Sequence, residues 1–370
     1  MLSRRDWRRM DWFLLASVFA LAGAGIAFIW SVTQWTPSRA HFAHHQARWL
    51  CVSAVGIIAA ILFDYSRLAG AAYALYAVTL IALAGLFFFG VTRGGSRRWY
   101  AVAGHLVQPS EFAKVVVVLA LARYLMYRKN TKKLTGLIAP FLIALLPMGL
   151  ILRQPDLGTS LLFLPTLFVM LFVAGASVKH LFAVAGAGAA CAPLLWFFVM
   201  GARQKGRILG FLWPLKYASA EGWHVRQSLA AIVSGGVTGQ GYGSGSPVLL
   251  NKGFAAHTDF LFSVIAHETG FLGALLVLAL FAGFFTRAAG IAAVTREPFG
   301  RLVVVGMLSM LAFQTVVNIG MTVRLLPITG MTLPFMSYGG SSLLTCFVMA
   351  GLILNVGMRR KAVMAPEDFR

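Results

Sequence analysis

Acidic residues are scarce in this chain, 11 in 370, and one of them stands in a telling place. Asp259 lies in His257-Thr258-Asp259-Phe260, where a polar, glycine-rich stretch runs into the apolar run Phe260-Leu261-Phe262-Ser263-Val264-Ile265-Ala266. A carboxylate at the edge of an apolar segment is costly to desolvate, so it needs a task. It could take a proton from an attacking hydroxyl, or hold a hard divalent cation such as Mg or Mn through oxygen. It could also be the N-cap of the helix that begins beside it, a role compatible with either chemistry.

Three more stretches carry chemistry. In Gln108-Pro109-Ser110-Glu111-Phe112-Ala113-Lys114 the proline suits the first turn of a helix, and Glu111 and Lys114, three apart, share a face. They form either a structural ion pair or the lining of a polar cavity. Asp156, in Arg153-Gln154-Pro155-Asp156-Leu157-Gly158-Thr159, precedes an apolar segment as a helix cap would. Gln227-Ser228 leads into Ser234-Gly235-Gly236 and Gly239-Gln240-Gly241-Tyr242-Gly243, which lacks the lysine and the strand–loop–helix setting of a nucleotide site and reads as tight turns. His41, His44 and His45 have no acid or cysteine beside them and read as an interfacial loop. Cys51, Cys191 and Cys346 show neither metal-ligand spacing nor a disulfide framework.

The elements that must position these residues are membrane helices. The chain is 59% hydrophobic and 12% charged, with mean hydropathy +0.79, against about 25% charged in soluble domains. Ten stretches approach the length that crosses ~30 Å of hydrocarbon: 10–31, 46–63, 69–91, 109–128, 134–152, 158–175, 179–200, 260–286, 302–322 and 338–358. The expected fold is therefore all-α and polytopic, one membrane domain over 1–370 with about ten transmembrane helices. A long extracytoplasmic loop, 201–259, precedes the eighth. The first run reads as a retained helix because it lacks a small-residue cleavage site.

Basic residues fix the expected orientation. Arg4, Arg5, Arg8, Arg9, Arg67, the Arg123/Arg128/Lys129/Lys132/Lys133 cluster, Lys179, Arg287, Arg296, Arg301, Arg359, Arg360, Lys361 and Arg370 all fall on one side, together with both termini. That side is cytoplasmic by the positive-inside rule. Arg93, Arg97 and Arg98 sit in a short outer loop where topology does not need them, which suggests an anionic ligand on the outer face. The formal charge of +21 is scattered between apolar runs, so anionic lipid headgroups explain it better than nucleic acid does. Arg207-Ile208-Leu209-Gly210-Phe211-Leu212 reads as an amphipathic segment lying on the membrane. The prolines and glycines from Leu326-Pro327 to Ser337-Tyr338-Gly339-Gly340-Ser341-Ser342 imply non-helical backbone that is buried or lines a wet cavity.

Taken in order, several of these motifs resemble the SEDS family (shape, elongation, division and sporulation proteins). The matching stretches are Gln108-Pro109-Ser110-Glu111 with Lys114, Gln154-Pro155-Asp156-Leu157-Gly158-Thr159, Gln227-Ser228 with Ser234-Gly235-Gly236, and His257-Thr258-Asp259-Phe260. Asn318-Ile319-Gly320, Leu326-Pro327 and Ser337-Tyr338-Gly339-Gly340-Ser341-Ser342 complete the set, which spans essentially the whole chain. The resemblance implies a peptidoglycan glycosyltransferase of the bacterial cytoplasmic membrane that polymerises lipid II at the outer face, with no organic cofactor. It further implies a class B penicillin-binding protein as transpeptidase partner.

By motif match Asp259 takes the place of the family's essential aspartate. Glu111, Lys114, Asp156 and Ser337 match cavity residues, and Arg98, Arg207, Gln227, Ser228, His257 and Thr258 match substrate-binding positions. Three positions depart from the pattern: Ala255 where an acid is common, His267-Glu268 in place of a glutamate pair, and Arg324 in place of glycine. Short termini favour the elongation branch, the RodA type, over the division branch. The rival functions are a lipid II flippase, which would also need a polar cavity, and a noncatalytic scaffold, which would need neither Asp259 nor the outer arginines. For the transferase, the sequence leaves base and cation-holding roles open for Asp259.

Overall fold

The computed structural model describes residues 7–35, 39–93, 96–102, 104–127, 133–213, 220–244 and 254–359. Of the basic residues used for orientation, Arg4, Arg5, Arg128, Lys129, Lys132, Arg360, Lys361 and Arg370 lie outside the described residues, as does part of the 201–259 stretch.

Each of the ten apolar stretches forms a helix. Among the described residues, seven are long and apolar enough to cross a membrane: Trp12–Thr33 (α1), His41–Leu62 (α2), Tyr65–Phe89 (α3), Leu134–Arg153, Leu261–Val294 (α10), Pro298–Thr322 (α11) and Gly340–Arg359 (α12). The fourth opens with a 3-10 turn, Leu134–Leu137, and continues as α5, Ile138–Arg153. The other three are shorter: α4 at Pro109–Leu125, α6 at Leu157–Val173 and α7 at Val178–Ala190. At 1.5 Å per residue a 17-residue helix reaches about 26 Å, less than the hydrocarbon thickness. The expected ten spans thus become seven helices of spanning length and three shorter ones.

Two further amendments apply. Val91–Arg93 (β1), Ser96–Val102 (β2) and His105–Val107 (β3) form a three-stranded antiparallel sheet in an otherwise helical fold. Its β-branched and aromatic residues favour strands, with Thr92 opposite Arg97 and Ala101 opposite Leu106. The 201–259 stretch is partly helical, with Ala202–Leu212 (α8) and Ala220–Gly235 (α9).

Burial ranks the helices. The most apolar window of α12 is 89% buried and that of α11 67%, whereas that of α3 is 17%. The first two form the centre of the bundle beside α4, whose Lys114 is 1% exposed. The starts of α2, α4, α6, α10 and α12, the sheet, and the 323–339 segment all gather at one end.

The helix α10 would be about 51 Å long if continuous, but it breaks at Gly270 (φ 67, ψ −163). The break frees backbone groups that need partners, and the glycine-rich run supplies them. Gln240 N and Gly241 N donate to the His267 and Glu268 carbonyls at 2.9 and 3.0 Å, while Phe271 N and Leu272 N donate to the Gly236 and Val237 carbonyls at 2.9 and 3.2 Å. A Cβ at Gly270 would stand 2.4 Å from Gly239 N, so only glycine lets the two backbones interlock. The run is a brace for a broken helix.

Candidate active site

At the gathered end lies a cavity of about 480 Å³. Arg98, Glu111, Lys114, Asp156, Thr258 and Asp259 line it, and Phe42, His45, Trp49, His105 and Tyr338 give it an aromatic wall.

Asp259 reaches this cavity because the chain around it is tied down. The Asp259 carbonyl accepts from Asn318 Nδ2 at 2.9 Å, and the same amide donates to the Met331 carbonyl at 2.6 Å. The Thr258 carbonyl accepts from Ser337 Oγ at 2.6 Å, and Ser337 Oγ accepts from Leu333 N at 2.9 Å. The His257 carbonyl accepts from Tyr338 N at 3.0 Å. Three consecutive carbonyls are thus anchored to α11 and to the segment before α12. Asp259 does not cap α10: the N-cap is Phe260, whose side chain makes no cap bond. That leaves the carboxylate available to the cavity.

Burial pushes Asp259 up to about 6, against the pull of Arg207, then Arg98, and a hydrogen bond from Thr258, while Asp156 adds to the rise. Desolvation is the largest effect on the carboxylate and outweighs the two guanidinium groups. The result is a group ionised at neutral pH yet more basic than an ordinary aspartate at ~3.9.

The arginines arrive from two elements. Alternation along β2 sends Arg97 and Arg98 to opposite faces. Arg97 donates to the Phe87 carbonyl at 3.2 Å, whereas Arg98 donates from Nε to the Gln154 carbonyl at 3.1 Å and from Nη2 to the Pro155 carbonyl at 2.7 Å. Arg98 Nη1 stands 3.6 Å from Asp156 Oδ2. Arg98 is therefore both a staple across the α5–α6 turn and a cavity cation. Arg207, expected on a membrane-surface segment, extends from α8 and donates from Nη1 to the Thr329 carbonyl at 3.1 Å.

Asp156 caps α6, accepting from Thr159 N at 3.2 Å and Thr159 Oγ1 at 3.0 Å, and takes a bond from Gln108 Nε2 at 3.2 Å. Glu111 and Lys114 form the expected pair at 2.8 Å. Lys114 Nζ also donates to Gln314 Oε1 at 2.9 Å, and Gln314 Nε2 donates to the Thr332 carbonyl at 2.9 Å. The buried ammonium is thereby linked to the same non-helical segment that holds Asp259.

Four expected substrate-binding residues, Arg207, His257, Gln227 and Ser228, lie off the cavity lining, as does Ser337, expected in the cavity, whose hydroxyl instead holds the Thr258 carbonyl. His257 packs between Phe42 and Tyr338, with ring centroids at 4.9 and 5.8 Å, and burial pushes its imidazole down to about 4, so the ring is a neutral wall. Ser228, fully buried on α9, donates to the Thr322 carbonyl at 2.7 Å and bonds Ser263 Oγ at 2.6 Å. Its neighbour Gln227 is likewise not among the lining residues. Gln314 was missed as a site residue, and Asn318 was named only as part of a motif; their four-residue spacing on one face of an apolar helix was the available signal. Trp49 of the aromatic wall was missed as well. Among the described residues no group of three or more His, Cys, Asp or Glu side chains could hold a metal ion.

A family model described as cell cycle protein, covering FtsW, RodA and SpoVE, matches residues 10–362. The chain is similar to the probable peptidoglycan glycosyltransferase FtsW of Trichlorobacter lovleyi, 33% identical with 94% of this chain and 92% of that one covered. It is likewise similar to the peptidoglycan glycosyltransferase RodA of Treponema pallidum, 30% identical with 95% and 98% covered. Among solved structures, one from work on the structural coordination of polymerization and crosslinking by a peptidoglycan synthase complex aligns with a TM-score of 0.82 at 32% identity, covering 94% of this chain and 97% of that one. With the motif order, the helical fold and a family match spanning nearly all of its length in agreement, the chain belongs to the FtsW, RodA and SpoVE cell cycle protein family, the SEDS family.

Proposed function

We propose that the chain is a peptidoglycan glycosyltransferase that polymerises lipid II into glycan strands. The observation that carries this reading is Asp259: a partly desolvated carboxylate that caps no helix, is anchored through three backbone carbonyls, shares its cavity with Arg98 and has Arg207 beside it at Gly330. Both curated relatives above bear the name peptidoglycan glycosyltransferase.

In the reaction a sugar hydroxyl attacks the anomeric carbon of an α-linked lipid diphosphate. A new C–O bond forms, the C–O bond to the diphosphate breaks, and undecaprenyl diphosphate leaves with the electron pair. Asp259 takes the hydroxyl proton during attack, inverting the anomeric centre to a β link. The positive charge of Arg98 and Arg207 offsets the charge that grows on the leaving diphosphate.

A divalent cation, Mg or Mn, would add Lewis-acid stabilisation of that diphosphate. Asp259 alone fits this role, since Asp156 is engaged as a cap, and such ions are commonly held by one or two carboxylates plus substrate phosphates. The protein would have both termini in the cytoplasm and the 201–259 stretch outside, serve elongation as a RodA-type polymerase, and work beside a class B penicillin-binding protein that crosslinks its product. A partner of that kind fits the crosslinking named for the similar synthase complex.

The test is glycan polymer formed from lipid II by purified protein in detergent, with and without the transpeptidase. Lipid movement between leaflets of proteoliposomes without any polymer would replace the transferase by a flippase. Orientation is tested by Thr238→Cys in a chain lacking Cys51 and Cys191, where protection from an impermeant maleimide in intact cells would reverse the topology.

A further inference from the structure

A second cavity, again about 480 Å³, lies at the opposite end of the bundle. It sits where the chain enters α1 and where α10 and α12 run toward their C-terminal ends, a whole helix length from Asp259. Three guanidinium groups, Arg8, Arg9 and Arg287, line it beside a single carboxylate, Asp11.

That carboxylate is already committed. Asp11 Oδ1 accepts from Leu14 N at 3.0 Å as the N-cap of α1, and Oδ2 pairs with Arg287 Nε at 2.7 Å. The pair holds the Arg287 side chain in place while its two Nη groups have no hydrogen-bond partner among the described residues. Arg8 is exposed and likewise makes no ion pair there. The lining therefore carries a net positive charge for an incoming anion. Its remaining lining is Thr286, whose hydroxyl donates to the Gly283 carbonyl at 3.0 Å, with Met10, Ile291 and Gly357, and a Cβ at Gly290 would meet nothing within 4 Å.

A cationic rim on an apolar floor matches an anion attached to a hydrophobic body. Guanidinium forks fit phosphate oxygens bidentately, and basic residues at a membrane surface attract anionic headgroups. We propose that this cavity binds a phosphate group, carried by an anionic membrane lipid, as a site separate from the one that contains Asp259. The apolar floor favours lipid over free phosphate, and its volume lies in the usual range for small-ligand pockets of roughly 300–1,000 Å³.

The experiment titrates purified full-length protein in neutral detergent with dansyl-phosphatidylglycerol and with dansyl-phosphatidylcholine, reading energy transfer from tryptophan. Trp7 and Trp12 flank the cavity in sequence and are 41% and 60% exposed. Saturable binding of the anionic lipid over the zwitterionic one is expected. Arg8→Gln, which removes a guanidinium with no described partner, and Gly290→Phe, which fills the space from an exposed helix position, should each weaken it about tenfold. Elution and lipid II polymerisation in neutral detergent should be unchanged. Loss of the signal on adding excess inorganic phosphate would assign the site to free phosphate, whereas persistence assigns it to the lipid. Equal binding of both lipids, or undiminished binding by both variants, would overturn the proposal.

Discussion

Asp259 and Arg207 share the space beside Gly330. A methyl group built on Gly330 would stand 3.6 Å from Asp259 Oδ2 and 3.5 Å from Arg207 Nη1. The glycine keeps that space clear, and its backbone, at φ +74, has a conformation that other residues adopt only at a cost. The carboxylate and guanidinium pull on each other's charge, yet desolvation of Asp259 prevails.

Gly330→Ala is therefore expected to disturb the fold more than the chemistry. The left-handed backbone costs a side chain about 1–2 kcal/mol, while the added methyl would make only ordinary contacts with the carboxylate and the guanidinium. The melting temperature in detergent should fall, and protein that remains folded should polymerise at close to the parent rate. An unchanged melting temperature would show that the backbone at Gly330 carries no such cost.

The Glu111–Lys114 pair makes a sharper energetic claim. Both side chains are buried and 2.8 Å apart. Removing one partner strands a charge in low dielectric, which costs about 3–5 kcal/mol, while removing both does not. Glu111→Gln and Lys114→Met should each lower the melting temperature strongly, and the double variant should lose much less than the sum. Additive losses in this double-mutant cycle would sink the pairing.

The helical segments, the Glu111–Lys114 pair and the Asp156 cap were legible because hydropathy and helix spacing are local. Glu111 with Lys114 and Asp156 with Thr159 are three residues apart, so one turn of helix brings them together. What escaped was set by distant parts of the chain. The cap reading of Asp259 failed because Ser337, Tyr338 and Asn318 fix its backbone from far along the sequence. The 91–107 strands were absorbed into a loop because a short sheet carries a weak pattern beside such long apolar runs. Helix length misled too, since α4 and α6 are shorter than their apolar stretches. Arg207 was read by amphipathicity, which reports a helix face but not that its guanidinium reaches Thr329.

Asn318 acts on Asp259 through backbone alone, which makes it a positioning residue. It is fully buried and its amide holds the carbonyls of Asp259 and Met331 together. Asn318→Ala leaves two buried carbonyls without that donor, at about 1–3 kcal/mol each. The expected result is a lower kcat with little change in KM for lipid II, because the carboxylate loses its aim rather than its charge. A raised KM with unchanged kcat would instead place Asn318 in substrate binding.

The decisive variant is Asp259→Asn. Since Asp259 caps no helix, the amide should leave the fold intact. Its pKa in the fold is raised from 3.8 to about 6, so the native protein holds a proton more tightly than the unfolded chain between those values. Stability contributed by this residue therefore falls as pH rises from about 4 to about 6, and stays lower above that. Asp259→Asn removes the penalty, so its melting temperature relative to the parent should rise across that window and level off at neutral pH. Activity runs the other way: a base must be ionised, so the parent's rate should climb with pH to about 6 and then flatten. The variant should be slower by roughly 10²–10⁴ and should lack that limb. A cation-holding role adds a weakened response to added Mg or Mn in the variant. Near-normal polymer from Asp259→Asn protein that elutes as the parent does would remove Asp259 from the chemistry altogether.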